Sequence, residues 1–416
     1  MGNRTDVRQH LENHLVDYLE FLRQMVAINS FTANATGVNK SGNLIIKQFS
    51  SLGFKPELES STDERYGNHI FLRRLAGSGR KQDSPPSVAL ISHLDTVYPI
   101  EEELLNDFAW REQNGRIYGP GIVDIKGGTL MIYMVLDSLY NCFRDIFESI
   151  DWWVCFNASE EVLADDFSEH CLEKLPVDTR ACLVFEAGKM EEDNCWLVDT
   201  RKGRASFKAT ASGKSAHSGN NHHQGANAIL QLSKTIQKIE ALTDYRKELT
   251  YNVGVVQGGV VRNRVPSHAE ALIEMRTFDP EVFEQGVADI LALNGTSDVS
   301  SGKGYPCQVA ILLEDRAEPW PSSPGSRDLL AVWQQCGQEI GLNILAESRG
   351  GLSDANLLWS HFPTLDGLGP SGGNAHCAER NADRSLDQEY LDRSSLIPKA
   401  ELNISAISRL TEYPAL

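Results

Sequence analysis

Apolar residues recur at helical spacing near the start of the chain. Leu11, Leu15, Tyr18, Leu19, Leu22, Met25 and Val26 share one face, which predicts an amphipathic helix over 9–28. Ser41–Leu52 reads as a second helix. Short apolar runs follow at 70–75, 88–92, 152–156 and Cys182–Phe185, with helical patterns over Thr129–Tyr140 and Phe167–Leu175. Val88-Ala89-Leu90-Ile91 is apolar without a break, as expected of a strand buried on both faces of a mostly parallel sheet. Strands alternating with helices predict an α/β layer with helices on both faces of that sheet. The polar, Gly- and Pro-containing stretch Ser78–Ser87 is expected to be a loop.

The pattern changes near residue 200. Ala205–Ala211 alternates polar and apolar, as a sheet with one wet face does. A helix (Ala226–Leu242), two strands (Leu249–Gln257, Glu270–Phe278), a helix (Pro280–Leu293) and a strand (Cys307–Leu313) complete the order β-α-β-β-α-β, which is ferredoxin-like. Beyond Pro319-Trp320-Pro321 helical patterns resume at Asp328–Ile340 and Leu396–Leu410. The 416 residues exceed what one core holds. The division expected is therefore 1–199 and 317–416 as one interrupted catalytic domain, with 200–316 inserted as an α+β domain.

Composition narrows the function. Hydrophobic residues make up 41% and charged residues 23%, as in ordinary globular enzymes. A net charge of -18 argues against nucleic acid, which is bound by clustered Lys and Arg. No apolar run is long enough to span a bilayer, so no membrane partner is expected. The start, Met1-Gly2-Asn3-Arg4-Thr5-Asp6, lacks the apolar core of a secretory signal, and Asp6 stands where myristoylation wants Ser or Thr. The eight cysteines form no Cys-x-x-Cys pair, so reduced thiols in the cytoplasm are expected.

Candidate chemistry lies at strand ends and glycine turns. His93-Leu94-Asp95 ends the strand 88–92, Glu160-Glu161 follows 152–156, and Glu186 follows 182–185. Ligands of open α/β sheets bind outside the carboxyl ends of strands. Asp124 lies between Gly119-Pro120-Gly121 and Gly127-Gly128, and His376 follows the glycine-rich 367–373. Imidazoles and carboxylates are ligands zinc accepts in hydrolytic sites. Five of these residues could hold two metals if one carboxylate bridges. Asp95 could then fix the tautomer of His93. Of the Glu160-Glu161 pair, one carboxylate can bind metal while its neighbour moves the proton of an attacking water. Each motif alone has a plainer reading: a turn with a surface ion pair for His93-Leu94-Asp95, a helix cap for Asp124, a solvated acidic helix start for Glu160-Glu161, an exposed loop residue for His376. Their coincidence carries the argument. Lys214-Ser215-Ala216-His217 lacks a nucleophile elbow, and Gly254-Val255-Val256-Gln257-Gly258-Gly259 lacks the Lys-Ser/Thr of a phosphate loop, so it reads as a strand with a glycine bend. His222-His223 reads as an exposed polar loop, and Trp152-Trp153 as core.

Taken in order, His93-Leu94-Asp95-Thr96-Val97, Tyr118-Gly119-Pro120-Gly121 with Asp124 and Lys126-Gly127-Gly128, Glu160-Glu161, Phe185-Glu186, Ser215-Ala216-His217-Ser218-Gly219, Gly350-Gly351-Leu352-Ser353-Asp354-Ala355 and His376 resemble the co-catalytic zinc peptidases. That family includes glutamate carboxypeptidase, acetylornithine deacetylase, succinyl-diaminopimelate desuccinylase and aminoacylase, and the likeness is strongest to the glutamate carboxypeptidases. The resemblance implies two Zn2+ per chain, with Co2+ or Mn2+ as substitutes. His93 and Glu186 would hold one, Glu161 and His376 the other, and Asp124 would bridge. Asp95 would orient His93, and Glu160 would be the general base and then acid. The inserted domain would serve as lid and join a homodimer through 200–316. Arg276 would anchor a substrate carboxylate, with Asn263, Gly350 and Gly351 beside it, and His217 would polarise the scissile carbonyl. One departure stands out. After the last metal histidine relatives often carry a small polar stretch and then Glu, and here the stretch is Cys377-Ala378-Glu379-Arg380.

The expected function is a two-zinc hydrolase of a peptide or acyl-amide bond next to a free carboxylate, acting on a small peptide or an N-acyl amino acid. An N-acyl-amino-acid deacylase would use the same site. A metal-retaining dimer without turnover is the rival from another class, and it has no chemical need for Glu160.

Overall fold

The computed structural model describes residues 4–77, 85–162, 166–381 and 386–410. The expected loop Ser78–Ser87 falls mostly outside them. The chain divides into two compact units. The first takes Met1–Asp199, Ser322–Glu347 and Ser353–Leu416; the second takes Thr200–Pro321 and Ser348–Leu352.

The first unit opens with α1 (Arg4–Val26) and α2 (Ala35–Ser50). Helix α2 starts earlier than the apolar pattern predicts because the Asn34 side chain accepts a hydrogen bond from Gly37 N. Then come β1 (Lys55–Ser60), β2 (Asn68–Arg74), β3 (Ser87–His93), α3 (Gly127–Cys142), β4 (Asp151–Asn157), α4 (Asp166–Lys174) and β5 (Ala181–Val184). Strand β3 is buried at every residue. It runs parallel to β4 on one side and to β5 on the other. The hairpin β1–β2 joins this core antiparallel through β4, so the sheet is mixed at that edge. Helix α3 is buried nearly all round, as a helix inside a core must be. Its start lies hard against the end of β5: a Cβ on Gly128 would sit 2.0 Å from Phe185 O. Trp152 and Trp153 are both core residues.

The second unit contains β6 (Gly203–Ser212), α5 (Ala228–Glu240), β7 (Thr250–Gly258), β8 (His268–Thr277), α6 (Pro280–Leu291) and β9 (Gln308–Ala317). All its strand pairs are antiparallel and their spatial order is β7-β8-β6-β9, the ferredoxin-like arrangement. Strand β6 alternates buried and half-buried residues. Asn227 caps α5 and Asp279 caps α6. The glycine bend expected in β7 is a shift of register between Val253 and Val255.

Back in the first unit, α7 (Pro324–Ile340) and α8 (Leu396–Arg409) pack on the core, and β10 (Thr364–Leu365) adds to β5 in parallel. A small antiparallel sheet of 111–113, 116–118, 390–392 and 372–373 completes the unit. All eight cysteines are free. Among the described residues no helix is long and apolar enough to cross a membrane.

Candidate metal centre

His93 ends β3, Glu160 and Glu161 sit in a single helical turn after β4, and Glu186 lies just past β5. Three neighbouring parallel strands thus deliver their carboxyl ends to one place. Asp124 enters from a loop opened by Gly121, whose φ of +67° favours glycine. It caps nothing, since α3 begins three residues on and its capping position is Lys126. His376 arrives on the loop behind the small sheet.

Two donor sets share Asp124. His93 Nε2 lies 3.1 Å from Asp124 Oδ1 and 3.7 Å from Glu186 Oε1. His376 Nε2 lies 3.2 Å from Asp124 Oδ2 and 3.2 Å from Glu161 Oε2. A tetrahedral zinc with donors at about 2.0–2.1 Å has donor–donor edges of about 3.3–3.4 Å, so both sets have the right spacing. Glu161 Oε1 is buried without a hydrogen-bond partner, a lone pair aimed at something. Five carboxylates, Asp95, Asp124, Glu160, Glu161 and Glu186, gather around the two imidazoles of His93 and His376, a concentration of acidic groups that bound cations would balance.

The titration of the groups reflects that concentration. Burial opposes the His93 cation, but the hydrogen-bonding carboxylates Asp124 and Asp95 overcome it and hold its pKa well above the usual value. Hydrogen bonds to Asp124 and Glu161 push His376 up to about 11. Burial raises Asp124, yet both imidazoles bond to it and keep it below the ordinary range. Burial pushes Glu160 well up, opposed by His93 and reinforced by Glu186 and Asp354.

Asp95 does more than orient a ring. Its Oδ1 lies 3.3 Å from His93 Nδ1 and accepts from Glu160 N at 3.1 Å; its Oδ2 accepts from Glu161 N at 3.2 Å and from the Thr32 hydroxyl at 2.7 Å. One carboxylate therefore fixes the first imidazole and the backbone of the glutamate pair together.

Other residues escaped the sequence reading. Asn157 Nδ2 donates to Asp354 Oδ1, and its Oδ1 accepts from Ser159 N, beside Glu160. Asp354 had been visible only as part of a motif; burial raises its pKa to about 7. Glu389 is fully buried and accepts from Val123 N, Asp124 N and the Tyr98 hydroxyl. The nearer Glu379 is exposed and contacts Cys377 Sγ instead.

The remaining predicted residues belong to the second unit. His217 Nδ1 accepts from Gly219 N and Asn220 N, so the ring proton lies on Nε2 and the histidine offers a donor outward. The Asn263 carbonyl accepts from Ser218 N. Arg276 donates to Gly350 O at 2.7 Å, and its fork also pairs with Glu274. Gly351 O accepts from Arg201, not Arg276.

Residues 200–296 match the family model described as a peptidase dimerisation domain. Carboxypeptidase G2 of a Pseudomonas species is 25% identical over 91% of this chain and 85% of its own length. Succinyl-diaminopimelate desuccinylase of Acidovorax ebreus is 24% identical over 88% of the chain and 93% of its own. The chain is a hydrolase of the metallopeptidase type. The fold agrees: an M20 family metallo-carboxypeptidase from Sulfolobus solfataricus superposes with a TM-score of 0.71 at 15% identity, over 95% of this chain and 99% of that one. M20 metallopeptidases depend on metal, and the first unit of this chain brings together acidic and imidazole groups that could hold one.

Proposed function

We propose that this M20 hydrolase binds two zinc ions and cleaves a peptide or acyl-amide bond next to a free carboxylate. The observation that carries the reading is the division of Asp124: Oδ1 toward His93 and Oδ2 toward His376. A carboxylate turned both ways suits a bridge between His93/Glu186 and Glu161/His376.

Two bound dications would acidify a water and polarise the scissile carbonyl. The chain's own groups do the rest. Glu160 takes the water's proton and returns it to the departing nitrogen; burial moves its pKa toward the working range of a general base. Asp95 keeps His93 and the glutamate pair in place. His217, with its Nε2 proton outward, is the proposed donor to the carbonyl oxygen across a dimer. Arg276 is the proposed anchor for the substrate's carboxylate, with Asn263, Gly350 and Gly351 around the same ligand; a fork of this kind suits bidentate binding. Glu274 already pairs with that fork, so an incoming carboxylate shares or displaces it.

The proposed homodimer forms along β7. That strand is a sheet edge carrying exposed Val255 and Val256, with Ile229 and Leu230 exposed on α5 of the same unit. The eight free thiols support a reducing compartment such as the cytoplasm. Deacylation is the second reading, favoured by the likeness to a desuccinylase.

A panel of γ- and α-glutamyl peptides, N-acyl amino acids and their carboxamide analogues, followed by release of free amine, tests the function. Turnover is expected for the acids and not for the amides. Equal turnover of both refutes the carboxylate requirement, and no turnover in a metal-replete preparation refutes the enzyme.

A further inference from the structure

Four chain segments meet behind Asp124, and one buried side chain joins them. Glu389 Oε1 accepts from Val123 N at 2.7 Å and from Asp124 N at 3.0 Å. Its Oε2 accepts from the Tyr98 hydroxyl at 2.6 Å. Its own backbone N donates to Cys377 O, next to His376, at 2.9 Å. The following residues, Tyr390–Asp392, are clamped between 372–373 and 116–118 of the small sheet. Glu389 therefore stands on a fixed ladder, with one arm on the Asp124 loop and its main chain on the His376 loop.

We propose that Glu389 is a positioning residue that locks the Asp124 and His376 loops together and thereby sets the affinity of the Asp124/Glu161/His376 set for its metal. The inference rests on the two-metal reading above. Both carboxylate oxygens are already taken by donors of the chain, so Glu389 has no direct part in the chemistry. The two donor sets differ in what else supports them. His93 and Glu186 stand at the ends of β3 and β5, inside a parallel sheet. Asp124 has non-helical φ and ψ of -123° and 83°, and its amide bonds to Glu389 rather than within a helix. His376 has a φ of +64° and a half-exposed side chain. Without Glu389, the amides of Val123 and Asp124 lose their acceptor. The second set then has two of its three donors, Asp124 and His376, on loosened loops, whereas the first set loses support only at Asp124 and keeps His93 and Glu186 on the sheet.

The test is a zinc titration of the full-length, metal-free chain in competition with a chromophoric chelator. Two steps are expected for the wild type. Glu389→Ala is expected to weaken one step by about 10–100-fold, the scale of lost outer support for a ligand, and the other by a clearly smaller factor through the shared Asp124. Glu389→Gln keeps an acceptor for both amides and should restore most of the loss; that rescue and the selectivity between steps separate positioning from general softening of the fold. Tyr98→Phe should weaken the same step by a smaller factor, and it decides the matter if Glu389→Ala does not fold. Two unchanged steps in folded Glu389→Ala, or equal weakening of both, overturns the proposal while leaving the two-metal reading standing. A single step in the wild type overturns that reading, and this proposal with it.

Discussion

The two large sheets solve opposite problems. Strand β3 is buried along its whole length, whereas β6 alternates buried with half-buried residues. A strand covered on both faces has only its ends left for chemistry, and His93 and Glu186 lie at such ends. A sheet covered on one face keeps an open face and open edges, and β7 leaves apolar side chains along one of them. The candidate metal ligands and the open apolar edge thus fall to different units for a reason of burial alone.

The contrast breaks first at the strand ends. Glu160→Gln should lower kcat/KM by about 10²–10⁴-fold with metal content unchanged, the usual worth of a placed proton carrier. Glu161→Gln should instead lower metal content. Full activity in Glu160→Gln, measured beside metal analysis, would reverse the assignment within the pair.

Stability sharpens the same comparison. Leu90 in β3 is fully buried, and Leu90→Ala should cost about 2–5 kcal/mol in urea unfolding. Lys208 lies on the open face of β6, paired with Glu270, and Lys208→Ala should stay within about 0.5 kcal/mol. Comparable losses at the two positions would mean that the open face is covered in solution. Val256→Lys, at the exposed edge strand, should then turn a dimer into a monomer by light scattering without lowering the unfolding midpoint. A dimer that persists would move the interface elsewhere.

A pH-dependent effect is expected from a buried polar group of the first unit. Asp166 accepts from Thr62 N and Ser61 and pairs with His69; these bonds outweigh burial and lower its pKa to about 2. A carboxylate depressed by folding stabilises above its unfolded value of about 3.9 and loses that contribution as pH falls through its folded value. Asp166→Asn should therefore be less stable than the parent at pH 6, with the gap closing between about pH 4 and pH 2. A gap that stays constant across that window would assign the loss to packing.

Much of this was legible in the sequence because it was periodic. The unbroken apolar run at 88–91 and the alternation at 205–211 announced the two kinds of sheet. What stayed hidden lacked period or proximity. The strands at 111–113, 116–118, 372–373 and 390–392 are two or three residues long, too short to show alternation. Strand β1 reads Lys-Pro-Glu-Leu-Glu-Ser and exposes even Leu58, so hydrophobicity never marked it. His93, Asp124, Glu160, Glu161, Glu186 and His376 could be singled out as candidates because strand ends and glycine turns flagged them. Glu389 was not, because its partners at 98 and 123–124 are remote in sequence and nothing local distinguishes it from a surface glutamate.

Synthesis order gives the parallel addition of β10 to β5 one more meaning. Thr364 pairs with Cys182 across the whole inserted unit. A chain emerging from its N-terminus therefore makes His93, Asp124, Glu161 and Glu186 long before it makes the strand that closes the sheet, and His376 and Glu389 come after that strand. Closing so distant a pairing is slow. The inserted unit, whose sheet is built from strands between 203 and 317, is complete in sequence before that strand is made. The growing chain holds an incomplete acidic cluster until its last stretch arrives, so the Asp124/Glu161/His376 group exists only in a polypeptide nearly finished.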